Sequence, residues 1–249
     1  MEILYVGDSK LRASQHYVGA DAFKTFQTPI RDYEPLLEAL RSIPAISVTH
    51  FDSLRAMEEF PRSVEDLSIY DVVILSDVTR GTLEPHFSPD AIPGPNLLKN
   101  IKRFVESGGG IVYCGGWMTF QGYQGVGNWQ GTPVEDVLPV KIQPIYDDRV
   151  ERPEGAPVSI IDSQHSITSE ITSEGLPNVY GYNHTGKLQP NSQTLATVDG
   201  HPLLGIREID EGRSVVYASD PGPKWGIELA DWELYSEFWN QIITWSSSN

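Results

Sequence analysis

The chain holds a single cysteine, Cys114, in 249 residues, so it can form neither an internal disulfide nor a cysteine-built zinc site. Positive charge is scarce as well: 18 Lys and Arg stand against 34 Asp and Glu, a formal net charge of −16. Little is left to neutralise phosphates, so nucleic acid and anionic membrane surfaces are not expected partners. No apolar run approaches the roughly 20 residues of a membrane span. The start, MEILYVGDS, has neither a basic leader nor a cleavage site, and a cytoplasmic protein is expected. No histidine pair stands at metal-ligand spacing, and neither a resident metal nor a cofactor is expected. Internal repeats and linker-like composition are also absent, which favours one elaborated domain over residues 1–249. The 39% hydrophobic content is enough to fill its core.

Apolar β-branched runs at 3–6, 46–50, 72–75 and 111–114 alternate with helical patterns, which is how βαβ units and a parallel sheet read in sequence. The spacing of Leu36, Leu37 and Leu40 predicts a helix that Asp32 can cap and Ile43-Pro44 ends. Another is expected behind Asn96, with Leu98, Ile101, Phe104 and Val105 on its apolar face and Gly108 as its stop. Residues 115–131 hold six glycines among Trp117, Phe120, Tyr123 and Trp129, a glycine-rich aromatic loop. A capping box of Thr132, Pro133 and Glu135 follows. From about 138 to 210 the pattern turns to short strands, at 140–143, 158–161, 193–198 and 202–206, a β-rich and partly antiparallel excursion. Residues 214–218 return as a buried strand, and Leu234, Phe238, Ile242 and Trp245 mark a last helix.

In an open parallel sheet, ligands bind beyond the carboxyl ends of the strands. The residues found there are Gly7-Asp8-Ser9, Ser76-Asp77-Val78-Thr79, Cys114-Gly115-Gly116-Trp117 and Ser219-Asp220-Pro221. Asp8, Asp77 and Asp220 can serve as acid/base groups, hydroxyl acceptors or hard-metal ligands. Aspartates at strand ends also cap helices and form Asx turns. Cys114 precedes an abrupt Gly115-Gly116 turn, the strand-turn-helix geometry that presents nucleophiles, and a helix N-terminus there would lower its pKa. A lone cysteine in an apolar strand is equally a small buried hydrophobe. His50, His86 and His201 read as structural, whereas His16, in a long loop after Asp8, and His184 could reach the same edge. Trp117 and Trp129 could wall a pocket for a planar or sugar-like ligand. The expected ligand-binding set is Asp8, His16, Asp77, Thr79, Gly115, Gly116, Trp117 and Trp129.

The run from Gly108 to Trp117, Phe120-Gln121-Gly122, and Gly131 through Pro139 resembles the glutamine-amidotransferase-like proteins, relatives of the class I glutamine amidotransferase and ThuA-like fold. Val6 through Ser9, Gly19 through Phe23, Asp162 through Thr168 and His201 through Leu204 extend the resemblance over most of the chain. It implies a three-layer, flavodoxin-like, mostly parallel sheet with Cys114 near the nucleophile's elbow. The activity does not follow. True amidotransferases open a His-Pro-Glu run after a late strand, and the comparable stretch here is Ala218-Ser219-Asp220-Pro221. The Gly-Gly oxyanion turn is replaced by Ser76-Asp77-Val78-Thr79, and the glycine two before the cysteine is Val112. The expectation is a protein without glutaminase activity that binds a small polar metabolite. The alternatives are a hydrolase or amidase in which Asp220, His184 or His16 activates Cys114, and an interaction module that forms a homo-oligomer.

Overall fold

Strands buried on both faces must be apolar throughout, and the short β-branched runs of this chain meet that demand by lying between two helical layers. The computed structural model describes residues 1–27, 29–84, 94–171 and 175–247. In chain order come β1 (Glu2–Gly7), β2 (Ser9–Lys10), β3 (Ala13–Val18), β4 (Asp21–Phe26), β5 (Ile30–Arg31), α1 (Glu34–Ser42), β6 (Ser47–Phe51), α2 (Ser53–Glu59), α3 (Val64–Leu67), β7 (Val72–Ser76), α4 (Arg80–Leu83), α5 (Leu97–Glu106) and β8 (Gly110–Cys114). After the glycine-rich loop follow β9 (Arg149–Ala156), β10 (Val158–Ile160), β11 (Val179–Asn183), β12 (Ser192–Val198), β13 (His201–Ile209), β14 (Gly212–Tyr217), α6 (Ile227–Ala230) and α7 (Tyr235–Ser246).

The eight-stranded sheet has the order β10-β12-β13-β14-β8-β7-β1-β6. From β6 to β14 every pairing is parallel. β13, β12 and β10 continue the sheet antiparallel, which is the expected excursion. The carboxyl edge is level across four strands: Gly7 lies opposite Ser76, Ser76 opposite Cys114, and Cys114 opposite Tyr217. The residues that follow therefore emerge along one line.

Alternation along each strand sorts side chains to the two faces. Tyr5, Ile74, Cys114 and Tyr217 pack towards α1 and α7, while Val6, Leu75, Tyr113 and Val216 pack towards α2, α3 and α5. The result is an α/β/α sandwich. α5 is capped as expected, Asn96 Oδ1 accepting the Lys99 N–H at 2.9 Å. Among the described residues no helix is long and apolar enough to cross a membrane.

Four local expectations need correction. Asp32 is not a cap: α1 starts behind Tyr33, and the Asp32 carboxylate is taken by Lys224 and Lys10. Residues 140–143 form no strand, only a bridge from Val140 to Leu188, because the chain there is held by Glu135, whose Oε1 accepts the Ile142 N–H at 2.9 Å. The capping box is only half formed: Thr132 Oγ1 accepts the Glu135 N–H at 3.4 Å, but the other Glu135 oxygen passes Thr132 to take the Gly131 N–H at 2.5 Å, and only a single 3-10 turn follows. Residues 10–31 are no simple loop: β2 pairs with β5, and β3 with β4, in antiparallel ribbons.

Trp239 is completely buried between the sheet and α7. Trp239→Ala is expected to lower unfolding free energy by about 3–5 kcal/mol in urea titration, whereas Ile69→Thr, at a position 65% exposed, should stay within about 0.5 kcal/mol of the parent.

Candidate functional site

Asp8 and Asp77 follow β1 and β7 with φ of 48° and 42°, a left-handed turn that Asp tolerates better than most residues. The turn takes the chain abruptly out of each strand. After β8 the two glycines allow a closer approach than any side chain would. A Cβ on Gly116, whose φ is +148°, would lie 2.5 Å from Asp77 Oδ1, and one on Gly115 would lie 2.6 Å from Asn183 Oδ1.

Four carboxyl groups converge here, and each is less than one-tenth exposed: Asp8, Asp32, Asp77 and Asp220. Asp77 Oδ1 accepts the Met118 N–H at 2.6 Å, and its Oδ2 accepts from Lys10 Nζ at 3.0 Å. Lys10 also stands 3.5 Å from Asp32 Oδ2, to which Lys224 Nζ donates as well. Asp220 Oδ1 accepts the Gly222 N–H at 2.7 Å. Asp8 Oδ2 takes the hydroxyl of Tyr5. Asp8 Oδ1 and Ser76 Oγ are buried without a hydrogen bond of good geometry to any described residue, the Ser76 hydroxyl lying near enough to Asp8 and Cys114 to favour their charged forms.

Desolvation dominates the electrostatics. Burial, with the charges of Asp220 and Asp77 added, pushes the Asp8 carboxyl well above the usual carboxylate range. Asp220 is pushed up to about 7 by burial and then by Asp77. For Lys10, burial is the largest single influence and works towards the neutral amine, but the charge and hydrogen bond of Asp77, the Lys224 contact and the charge of Asp32 together outweigh it and the pKa rises. The site can therefore hold protons on the Asp8 and Asp220 carboxyls near neutrality while keeping the Lys10 ammonium charged.

Asp8, Asp77, Asp220, Gly115 and Gly116 are brought together as expected from their strand-end positions. Cys114 is not presented at an elbow. It is fully buried on the α7 face of the sheet, and irregular turns rather than a helix N-terminus follow it. Burial, then the charge of Asp8, pushes its thiol pKa up. No imidazole is among the groups that perturb it, so the low-pKa thiol expected from a helix N-terminus is absent. The ring of His184 packs on His201 with centroids 4.1 Å apart. His16 lies on the exposed β3, stacked on Phe23 and 3.0 Å from Thr25 Oγ1, and does not join the cluster. Trp129 does not wall a pocket: it is fully buried, and its Nε1 donates to Val78 O at 2.8 Å, bracing the loop. Trp117 is 39% exposed and stacks on Tyr123, with the Arg149 guanidinium 4.3 Å and 4.6 Å from the two ring centroids. Thr79 precedes α4, its hydroxyl 3.1 Å from that of Thr82. His86 lies outside the described residues. Among those residues no three His, Cys, Asp or Glu stand so as to hold a metal ion.

Sequence reasoning missed Lys10, Lys224, Asp32, Asn183 and Asp148. Asn183 Oδ1 accepts the Gly116 N–H at 2.8 Å, and its Nδ2 donates to Asp148 Oδ1 at 2.9 Å. Asp148 in turn accepts the N–H groups of Gln121 and Gly122 at 2.8 and 2.9 Å, which pins the glycine-rich loop to the sheet. The signal was adjacent to one that was read, since Asn183 precedes His184. Beside the cluster lies a cavity of about 660 Å³ lined by Arg31, Tyr33, Arg41, His50 and Arg55 among others. His50 connects the two, its ring nitrogen 3.2 Å from the Gly7 carbonyl that precedes Asp8.

A mostly parallel α/β/α sandwich with a polar cluster along its carboxyl edge defines the flavodoxin-like, class I amidotransferase type of fold. The family model described as "Putative glutamine amidotransferase" matches residues 2–248, and the chain belongs to that glutamine amidotransferase-like family. It is 31% identical to the cytoplasmic protein STM1381 from Salmonella typhimurium LT2, with a TM-score of 0.89 over 99% of this chain and 100% of that one. The cytoplasmic protein STM3548 from Salmonella typhimurium is 28% identical, with the same TM-score of 0.89 and 99% of each chain covered. A ThuA-like protein from Parabacteroides merdae, 12% identical with a TM-score of 0.52 over 99% of this chain and 89% of that one, shares the fold. No curated protein matches the chain.

Two expectations follow. Asp220 binds its proton more tightly in the folded state, at about 7, than in the unfolded chain, at about 3.9. Between those values the unfolded state releases a proton that the native state keeps, so stability falls as pH rises from about 4 to about 7 and levels off above. Asp220→Asn should flatten that fall in urea midpoints measured across the window, with Asp8 supplying what remains. Cys114 should resist iodoacetamide in the native protein at pH 8 and react only once urea opens the fold.

Proposed function

We propose that this protein is an amidotransferase-like binder without glutaminase activity, taking a small polar ligand with hydroxyl or ammonium donors at the carboxyl ends of β1, β7, β8 and β14. The observation that carries this reading is the convergence of four buried carboxyls and two ammonium groups at one sheet edge, in which Asp8 Oδ1 has no well-formed hydrogen bond and only the Ser76 hydroxyl beside it. A buried polar atom left poorly satisfied costs about 1–3 kcal/mol, and a ligand that donates to it offsets part of that cost. Lys10 and Lys224 are the groups that would rearrange to admit a ligand, being the most exposed members of the cluster, with side chains 26% and 37% accessible. Trp117 flanks the entrance, one residue from Met118, whose N–H reaches Asp77.

Glutaminase chemistry needs a thiolate, an imidazole base and an oxyanion hole. Here the thiol is buried with its pKa raised, the late strand leads to Asp220 in place of a histidine, and a carboxylate, Asp77, stands at the oxyanion turn. The same facts weigh against a Cys114-dependent hydrolase with Asp220, His184 or His16 as base. A cytoplasmic location fits the lone cysteine and the two Salmonella relatives described as cytoplasmic proteins, and the charge of −16 favours partners other than nucleic acid or anionic membranes.

The test combines calorimetric titration against a panel of polyols, amino acids and small amines with a coupled ammonia assay on glutamine. The expected result is at least one binder whose affinity falls by about tenfold, equivalent to about 1.4 kcal/mol, in both Asp77→Asn and Asp220→Asn, and no ammonia release above a Cys114→Ala control. Glutamine turnover abolished by Cys114→Ala, or a panel with no binder sensitive to Asp77, would overturn the reading.

A further inference from the structure

The β3–β4 ribbon differs in character from the rest of the surface. Tyr17 is 75%, Val18 63%, Phe23 51% and Phe26 68% exposed, and among the described residues the ribbon is a sheet of two strands with no further strand on either edge. A two-stranded ribbon alone is marginal in water; its register puts Tyr17 and Phe26 on one face together with Lys24, and Val18 and Phe23 on the other, so the Tyr17–Phe26 face is the one that can lie on a partner. Its charge is also inverted: residues 11–27 carry Arg12 and Lys24 against Asp21 alone, in a chain of net charge −16.

A second exposed apolar surface has the opposite charge. Val126, Ile145 and Tyr146 are 51%, 39% and 71% exposed. They are joined to the Trp117–Tyr123 stack, because Gln121 Nε2 donates to Ile145 O at 3.2 Å and the Gln124 N–H to Asp147 Oδ2 at 3.1 Å. Its rim carries Asp147 and Glu151, with Arg149 held between them. No described residue of the same chain covers either surface.

We propose that these surfaces meet between two copies of the chain, the ribbon of each protomer lying on the 117–147 face of its partner. Reciprocal exchange about a two-fold axis closes the assembly as a dimer, since each contact is made twice. Aromatic rings of about 150–250 Å² each supply the apolar contact, and Arg12 and Lys24 set against Asp147 and Glu151 supply orientation. The arrangement goes beyond ligand binding and does not depend on it. It also places the partner's ribbon beside Trp117, at the rim of the carboxylate cluster. At the ribbon's own root, β2 carries Lys10, the residue paired with Asp77.

Sedimentation velocity at micromolar concentration tests it. Wild type is expected at two chain masses. The pairs Tyr17→Ser/Phe26→Ser and Val126→Ser/Tyr146→Ser should each reduce it to one, with the far-ultraviolet circular dichroism of the parent. Because Arg12 and Lys24 are exposed, Arg12→Glu/Lys24→Glu gives an independent variant that keeps the apolar groups and should weaken dimerisation by about tenfold or more. A monomeric wild type, a dimer that survives either serine pair, or a monomer that instead pellets with phosphatidylcholine–phosphatidylserine vesicles would overturn the proposal, the last by giving the ribbon to a membrane.

Discussion

Four carboxyl groups and two ammonium groups share one almost dry space at the carboxyl edge of the sheet, and much of the local structure is arranged around that imbalance. Three ion pairs made by two lysines neutralise two of the carboxylates, those of Asp77 and Asp32. The others cannot stay charged without large desolvation cost. Asp8 and Asp220 accordingly hold their protons to higher pH, and Tyr5 sits against Asp8 as a hydroxyl. The left-handed turns at Asp8 and Asp77 and the missing side chain at Gly116 make room for the cluster. Asn183, neutral and able both to donate and to accept, joins the loop backbone to Asp148 without adding charge.

The same cluster is what the proposed absence of glutaminase chemistry in this amidotransferase-like chain rests on. A nucleophilic thiol needs a positive neighbourhood to hold it as thiolate, and Cys114 has instead Asp8 and Asp220 near it, in the interior of the sheet. An oxyanion hole needs unpaired N–H groups, and the candidates here are already engaged: the Gly116 N–H with Asn183 and the Met118 N–H with Asp77. The end of β8 keeps its place in the sheet, while the donors that follow it and the Cys114 thiol are engaged in internal structure.

The five parallel strands, α5 and α7 were legible in the sequence because apolar period and length specify them, and Asp8, Asp77 and Asp220 were legible because the residue after a strand end occupies a fixed place in such a sheet. The face on which Cys114 lies was also readable: it alternates with Tyr113 and shares a side with Val112. The lysines were not readable. Lys224 meets Asp32 across 192 positions of sequence, a pairing that no local pattern encodes, and Asp32 had the appearance of a helix cap. The ribbon at 13–26 was hidden for another reason, since its alternation has no apolar side that the protein itself buries. Trp129 was misread because an indole in a glycine-rich loop looks the same in sequence whether its N–H faces a ligand or a carbonyl.

β14 joins the parallel and antiparallel parts of the sheet, between β8 and β13, yet it is the last strand made, at residues 212–217. Until it has been synthesised, β8 has no neighbour on one side and the meander of β10, β12 and β13 has nothing to attach to. The partner of β8 arrives about a hundred residues after it, a separation that raises contact order and slows closure. A nascent chain on the ribosome thus carries two partial sheets with open edges until residues 212–217 have emerged. The step that unites them is an insertion between existing strands, not an addition at a margin.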